Sequence, residues 1–204
     1  MKNIAALLME SGVWVSSAAL AQEGAKGAAH QHDHSAMAAT ELKRSEASYS
    51  IPPLTLVRQD GKKVSVAAEL DDGHPVLLQF MYTSCTTICP VTTQMFSRVQ
   101  DRLGKEHEKF HMLSISVDPE YDTPVRLNSF AKKLAAGPQW QFYGGTLEAS
   151  VTLQKAFDSF RGDKMNHVPV TFLRAAPGKP WIRIDGLRTP EDIIREYRAA
   201  TGKA

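Results

Sequence analysis

The sequence predicts an α/β fold in which a central, mostly parallel β-sheet carries an added N-terminal β-hairpin and is flanked by helices. The main observation is alternation, since short apolar segments of strand length are followed by segments with apolar residues at helical spacing. The second observation is that Thr-Pro pairs and glycines mark helix ends. The length of 204 residues suits one domain of ordinary size with a tail.

The first predicted elements are a hairpin and a buried strand. Residues 51–57 are expected to be extended, and an Asp60-Gly61 turn leads into a returning strand at 63–66. The segment 75–82, PVLLQFMY, is almost continuously apolar, which is typical of a strand buried on both faces.

Strands and helices then alternate until a final hairpin. A helix is predicted from Pro90 to Gly104, because apolar residues recur there at helical spacing. The other elements are a strand at 110–117, a helix at 124–134, a strand at 141–143, a helix at 147–160, strands at 168–173 and 181–184, and a helix at 190–200. A strand, a cysteine pair at the next helix start and a late hairpin backed by a C-terminal helix form a thioredoxin-like arrangement.

Residues 1–21 are predicted to be a signal peptide that is cleaved after Ala21 and sends the chain to the periplasm. Lys2 supplies the positive charge at the N-terminus, and residues 4–20 are mostly apolar or small. The Ala-Leu-Ala sequence at 19–21 fits the small-x-small pattern that a signal peptidase cleaves. The alternative is a retained anchor, but the stretch contains Glu10 and is at or below the ~20 residues that span a bilayer. Membrane contact is therefore expected only through a partner or an uncleaved signal.

Residues 22–47 are predicted to be a disordered, His- and Ala-rich segment, because they contain almost no large apolar side chains to offset the cost of ordering. His30, His32 and His34 give this segment a weak candidate metal site. The alternative is a solvated tail that binds metal only adventitiously. The folded domain is expected to occupy residues 48–204.

The chemistry is expected at the two cysteines, Cys85 and Cys89, which follow a buried strand and precede the helix that starts at Pro90. Free N–H groups and the positive end of the helix dipole favour thiolates there. In an oxidising compartment the pair can form a disulfide, but so small a loop constrains little of the unfolded chain. Three residues separate the cysteines, instead of the two of a redox C-x-x-C motif. The two sulfurs can therefore lie farther apart and bind a soft metal ion between them.

His167 is the third candidate ligand. It stands immediately before the strand predicted at 168–173, in a loop that faces the cysteine loop in a thioredoxin-like fold. Two thiolates and an imidazole suit copper, since soft sulfur binds copper(I) and nitrogen extends the site to copper(II). A structural zinc site would want four protein ligands. The alternative is a loop histidine that binds nothing.

Two segments, QFMYTSCTTICPVTTQMF and SISVDPEYDTP, together with the histidine before the late strand, resemble the Sco/SenC copper-binding proteins over residues 50–200. That family assists assembly of the copper centre of cytochrome oxidase. The resemblance implies copper ligation by Cys85, Cys89 and His167. It also implies that Asp118 lies beside the site, although this carboxylate can equally hydrogen-bond its own turn.

The sequence departs from the family at Thr86, where members often have proline. Many members are also held to the membrane by an N-terminal helix, whereas this chain is expected to be cleaved. Pro169 resembles the cis-proline of thioredoxins, and a cis bond before it would favour a redox role.

These observations favour a metal carrier over an enzyme: a copper chaperone that binds one copper ion and delivers it to a respiratory oxidase. The expected partner is a copper-receiving oxidase subunit or another periplasmic copper protein. The net charge of +2 is too small to imply a nucleic-acid partner.

One alternative function is that of a thiol-disulfide oxidoreductase that reduces the cysteines of a copper apoprotein. Another is a peroxidase, because its Thr-x-x-Cys pattern is loosely present at residues 86–89.

Overall fold

Eight strands form one sheet within residues 43–203, the part of the chain described by the structure, which is a computed structural model. The strands are β1 (Arg44–Ala47), β2 (Thr55–Arg58), β3 (Lys63–Ser65), β4 (Val76–Met81), β5 (His111–Ser116), β6 (Trp140–Gly144), β7 (Val170–Arg174) and β8 (Trp181–Asp185). The predicted signal peptide and the tail histidines His30, His32 and His34 lie outside the described residues.

The described part of the chain also contains five α-helices, of which the first four connect strands and the last follows β8: α1 (Val66–Leu70), α2 (Cys89–Leu103), α3 (Pro124–Lys133), α4 (Leu147–Ala156) and α5 (Pro190–Thr201). Helices α3, α4 and α5 each begin at a threonine whose hydroxyl accepts a backbone N–H of the first turn. The Thr-Pro pairs at the starts of α3 and α5 were reliable markers, because the threonine accepts a first-turn N–H and the proline has no N–H that needs a partner.

The strand order is β1-β8-β7-β4-β5-β6-β2-β3, which confirms the predicted α/β, thioredoxin-like class. The β2–β3 hairpin lies at one edge, as predicted. The parallel part is smaller than the alternation indicated: within residues 43–203 only β4–β5 and β5–β6 pair in parallel. The reason is that β7 enters antiparallel to β4 and then forms its own hairpin with β8.

Strand β1 was not predicted, and its four residues precede the expected start of the folded domain at residue 48. Its sequence, RSEA, has no apolar alternation, and its side chains are mostly exposed. The strand exists because its backbone pairs antiparallel with the edge of β8, from Arg44 opposite Ile184 to Ala47 opposite Trp181. Arg44 also pairs with Glu196 of α5 at 2.8 Å.

The two faces of the sheet carry separate apolar layers. On one face Phe80 of β4 packs with Phe157, at the end of α4, and with Phe172 of β7. On the other face Leu77 belongs to a cluster with residues of α2, α3 and α5. All six residues of β4 are buried, as its apolar sequence predicted, and the layers hold its carboxyl end in place.

Within the described part of the chain, none of the helices is long and apolar enough to cross a bilayer.

Candidate metal and thiol site

The two cysteines lie between the carboxyl end of β4 and the start of α2. After β4 the chain turns, and the backbone N–H of Cys85 donates to the carbonyl of Tyr82 at 3.3 Å. Cys89 is the first residue of α2 and is followed by Pro90, which has no N–H to leave unsatisfied. Both thiols are free, and they sit where the first-turn N–H groups of a helix point outward.

Cys85 is the acidic thiol of the pair. Its sulfur accepts the backbone N–H of Cys89 at 3.4 Å and lies 3.6 Å from the hydroxyl of Thr87. Burial by itself raises the pKa of this thiol, but the hydrogen bonds from Cys89 and Thr87 outweigh it and lower the pKa to about 6. Cys85 is therefore mostly thiolate at neutral pH.

Cys89 behaves in the opposite way. It is only 1% exposed, against 8% for Cys85. Burial, reinforced by the neighbouring Cys85 sulfur, raises the pKa of Cys89 to about 12, although the backbone N–H of Tyr82 works against that rise. The site thus pairs a reactive thiolate with a buried, protonated thiol.

His167 follows a 3₁₀ turn at Lys164–Asn166 and precedes β7. Its Nε2 donates to the backbone carbonyl of Phe80 at 2.9 Å, which brings the imidazole to the same end of β4 as the cysteines. Burial lowers its pKa, so the ring is neutral at pH 7 and Nδ1 keeps its lone pair. The three side chains share one end of the sheet, but within residues 43–203 no three His, Cys, Asp or Glu side chains gather closely enough to hold a metal.

Asp118 lies just beyond β5 and accepts a hydrogen bond from Lys164 at 2.5 Å. Its backbone N–H donates to the Ser116 hydroxyl at 3.0 Å. Because Lys164 is three residues before His167, the ion pair ties the histidine loop to the end of β5. Asp118 therefore contacts the loop that holds the imidazole, and no contact with the thiols is seen in the described residues.

Asp122 also belongs to this region, although it was not among the predicted site residues. It is almost completely buried, and its carboxylate accepts from the Thr83 N–H at 3.1 Å, from the Thr83 hydroxyl and from the Ser116 hydroxyl at 2.6 Å. It therefore fixes the chain two residues before Cys85. No local pattern points to this carboxylate, because it lies in the turn between β5 and α3 and its partners are brought to it by the fold.

Tyr82 and Met165 were also missed. The Tyr82 hydroxyl donates to the Met165 sulfur at 3.6 Å. Burial, reinforced by the charge on the nearby Cys85 sulfur, raises the pKa of Tyr82 to about 12. Tyr82 consequently links the cysteine loop to the histidine loop, a contact that depends on two distant loops meeting.

The expected cis bond before Pro169 is wrong: every peptide bond within residues 43–203 is trans. Trans is the more stable form of most X-Pro bonds. The Pro169 carbonyl accepts the N–H of Gly186 at 2.9 Å, which holds this segment beside the end of β8.

Fold and site together define a thioredoxin-like protein with a dithiol at a helix start and a histidine loop at the same end of the sheet. A family model described as SCO1/SenC matches residues 43–202. The chain belongs to the SCO1/SenC family.

Individual relatives agree with this assignment. The chain is 32% identical over 165 residues to a SCO1 protein homolog of Bacillus subtilis, covering 76% of this chain and 84% of that protein. It is also similar to BsSco, a member of the Sco family of cytochrome c oxidase assembly proteins in which a disulfide switch is described. The identity is 28%, the TM-score is 0.63, and the match covers 77% of this chain and 96% of BsSco. Copper-bound ScoI of Bradyrhizobium japonicum matches at 26% identity, TM-score 0.61 and coverage of 73% and 98%.

Proposed function

We propose that this protein acts in oxidase assembly as a copper carrier, which binds one copper ion through Cys85, Cys89 and His167 and delivers it to a respiratory oxidase. The observation that supports this most directly is the Cys85 sulfur, held by the Cys89 N–H at 3.4 Å with its pKa lowered to about 6. A thiolate ready at neutral pH is the form of cysteine that binds a metal. Copper is here the cargo of the protein.

The donor set fits copper in its chemistry. Sulfur is a soft ligand suited to copper(I), and imidazole nitrogen is a good ligand for copper(II). Cys85 needs no prior loss of a proton, whereas copper must displace the proton of Cys89, whose pKa is raised. His167 is neutral and offers Nδ1, because Nε2 is engaged by the Phe80 carbonyl.

The similar proteins support the same role. The copper-bound ScoI structure shows that a relative of this fold takes copper, and BsSco is described as an oxidase assembly protein. We extend this to a partner: a copper-receiving oxidase subunit or another periplasmic copper protein. The leader at 1–21 supports export, and His30, His32 and His34 would give a weaker, second place for copper.

The test is a copper titration of the reduced full chain, followed by sulfur-to-copper charge-transfer absorption. The wild type should bind one copper tightly. Cys85→Ser, Cys89→Ser and His167→Ala should each lose at least about tenfold in affinity. His74→Ala is the matched control, because His74 is exposed and lies in the turn before β4, at the opposite end from the thiols.

A variant with alanine at the three tail histidines removes the weaker binding from the comparison. If His167→Ala binds copper as tightly as the wild type and with the same spectrum, the imidazole is not a ligand. If the wild type binds no copper tightly, the carrier function is wrong.

A second candidate function, thiol-disulfide exchange, is favoured by the contrast between the thiols. The more exposed Cys85 has a pKa of about 6, and the buried Cys89 has a raised pKa, which suits an attacking and a resolving thiol. The Cys85 thiolate would attack a partner disulfide and release one thiolate. Cys89 would then lose its proton, close the Cys85–Cys89 disulfide and release the second thiolate, so two electrons pass to the partner.

The number of thiolates released from a small disulfide probe, 5,5′-dithiobis(2-nitrobenzoate), by the copper-free protein tests this second function. The wild type and His167→Ala should each release two thiolates per chain and Cys89→Ser only one, whereas copper binding requires all three residues. The peroxidase alternative is weaker, because its cysteine would be Cys89, which is buried with a raised pKa.

A further inference from the structure

We propose that Met165 supplies a third sulfur ligand to copper(I) at the mouth of the site, beside Cys85 and Cys89. The inference rests on the proposed copper-carrier function and adds one residue to it. The methionine thioether is a soft, neutral ligand that suits copper(I) and needs no deprotonation.

The backbone around Met165 is held in place. Its N–H donates to the Asp163 carboxylate at 2.7 Å. On one side Lys164 pairs with Asp118 at 2.5 Å, and on the other side His167 bonds to the Phe80 carbonyl at 2.9 Å. The loop therefore holds the Met165 backbone at a fixed place, from which its sulfur contacts Tyr82.

Met165 also differs in exposure from the other described methionines. Met165 is 72% exposed, whereas the described methionines Met81, Met95 and Met112 are all buried. Core packing, the usual role of methionine, does not account for this residue. Its inward contact is the Tyr82 hydroxyl, 3.6 Å from the sulfur.

Tyr82 connects this sulfur to the cysteine turn: its carbonyl accepts the Cys85 N–H at 3.3 Å, and its hydroxyl donates to the Met165 sulfur at 3.6 Å. Methionine has three flexible side-chain torsions, so its sulfur can replace the tyrosine contact with a contact to a copper ion held by the thiolates. A set of three sulfurs is a favourable environment for copper(I), and His167 remains available for copper(II).

A recipient protein must also be able to reach the bound ion. Cys85 and Cys89 are 8% and 1% exposed, so an ion held by them alone is difficult for an incoming ligand to reach. The exposed thioether is bound more weakly than a thiolate and is not stabilised by charge, so it can be displaced first. Met165 then opens a coordination position at the surface for ligand exchange with the recipient.

The test compares Met165→Leu with Met95→Leu in the reduced full chain. Both changes remove one methionine sulfur at similar volume, but Met95 lies in α2 and is buried. Copper(I) affinity is measured by competition with bathocuproine disulfonate. Met165→Leu should weaken copper(I) binding by roughly tenfold, while Met95→Leu and the copper(II) charge-transfer spectrum stay unchanged.

A second readout is the methyl signal of Met165 in protein labelled with 13C-methyl methionine, assigned through Met165→Leu. The signal should move at one equivalent of copper(I). Equal copper(I) affinity for wild type and Met165→Leu with an unmoved signal overturns the proposal but leaves the carrier function intact. An equal loss in both leucine variants also overturns it, and a wild type that binds no copper overturns the carrier function itself.

Discussion

The Nε2 atom of His167 donates a hydrogen bond to the backbone carbonyl of Phe80, 87 residues earlier, at 2.9 Å. A carbonyl can only accept, so the proton of the neutral ring resides on Nε2 and the lone pair on Nδ1. The contact orients the imidazole before any metal arrives, much as backbone carbonyls orient ligating histidines elsewhere.

This geometry predicts the tautomer of the copper-free protein. His167 should be the Nε2–H tautomer at pH 7 and should gain its second proton only below pH 6.5, because burial lowers its pKa from that ordinary value. Two-bond 15N–1H correlation spectra across a pH series measure both properties. An Nδ1–H tautomer, or a midpoint above 6.5, contradicts the structure.

The two thiols should separate sharply by pH. Only the thiolate is alkylated, and the pKa of Cys85 is lowered to about 6 while that of Cys89 is raised to about 12. Iodoacetamide labelling of the reduced, copper-free protein should therefore modify Cys85 with a midpoint near pH 6. Cys89 should remain unmodified across the neutral range, as read by peptide mass spectrometry.

Removing a donor to Cys85 gives the matching control. Thr87→Val keeps the shape of the side chain but removes the hydroxyl that lies 3.6 Å from the Cys85 sulfur. The labelling midpoint should rise, since one hydrogen bond to the thiolate is lost. A wild-type midpoint near the ordinary value of a free cysteine, about 8.5, would show that the hydrogen bonds do not stabilise the thiolate.

Asp122 should be needed for stability. Asp122→Ala leaves the Thr83 N–H, the Thr83 hydroxyl and the Ser116 hydroxyl without their shared acceptor, at a cost of about 3 kcal/mol in the free energy of unfolding. Urea unfolding measures the loss. Asp122→Asn keeps the shape and one acceptor oxygen, so its loss should be smaller. The exposed Glu120→Gln should change little, and an equally small effect of Asp122→Ala would refute the network.

The Asp118–Lys164 pair should act on the mobility of the histidine loop more than on global stability. Lys164 is well exposed, and exposed ion pairs add little to folding. Lys164→Met should therefore leave the melting temperature nearly unchanged. Hydrogen exchange at residues 163–168 should become faster, because the tie to β5 is lost. Arg126→Met, on the exposed face of α3, is the control, and unchanged exchange in Lys164→Met would contradict the proposed tie.

Local sequence was sufficient for most of the framework. The apolar run at 75–82 became β4, the helix expected from Pro90 is α2, and the Thr-Pro pairs became the starts of α3 and α5. Strand β1 could not be found this way, because RSEA has no pattern and is ordered only by the edge of β8. The extent of parallel pairing was overestimated for a similar reason, since the direction of β7 depends on how the last hairpin enters the sheet.

By itself, the sequence determined that two cysteines stand at a helix start after a buried strand, and that a histidine precedes the late strand. Those are local properties, fixed by proline, by capping and by apolar pattern. Only the tertiary structure decided which thiol is acidic, where the His167 proton resides, what Asp122 holds and that Tyr82 meets both Cys85 and Met165. Each of these depends on burial and on hydrogen bonds, most of them between residues that are remote along the chain and meet only when the layers pack.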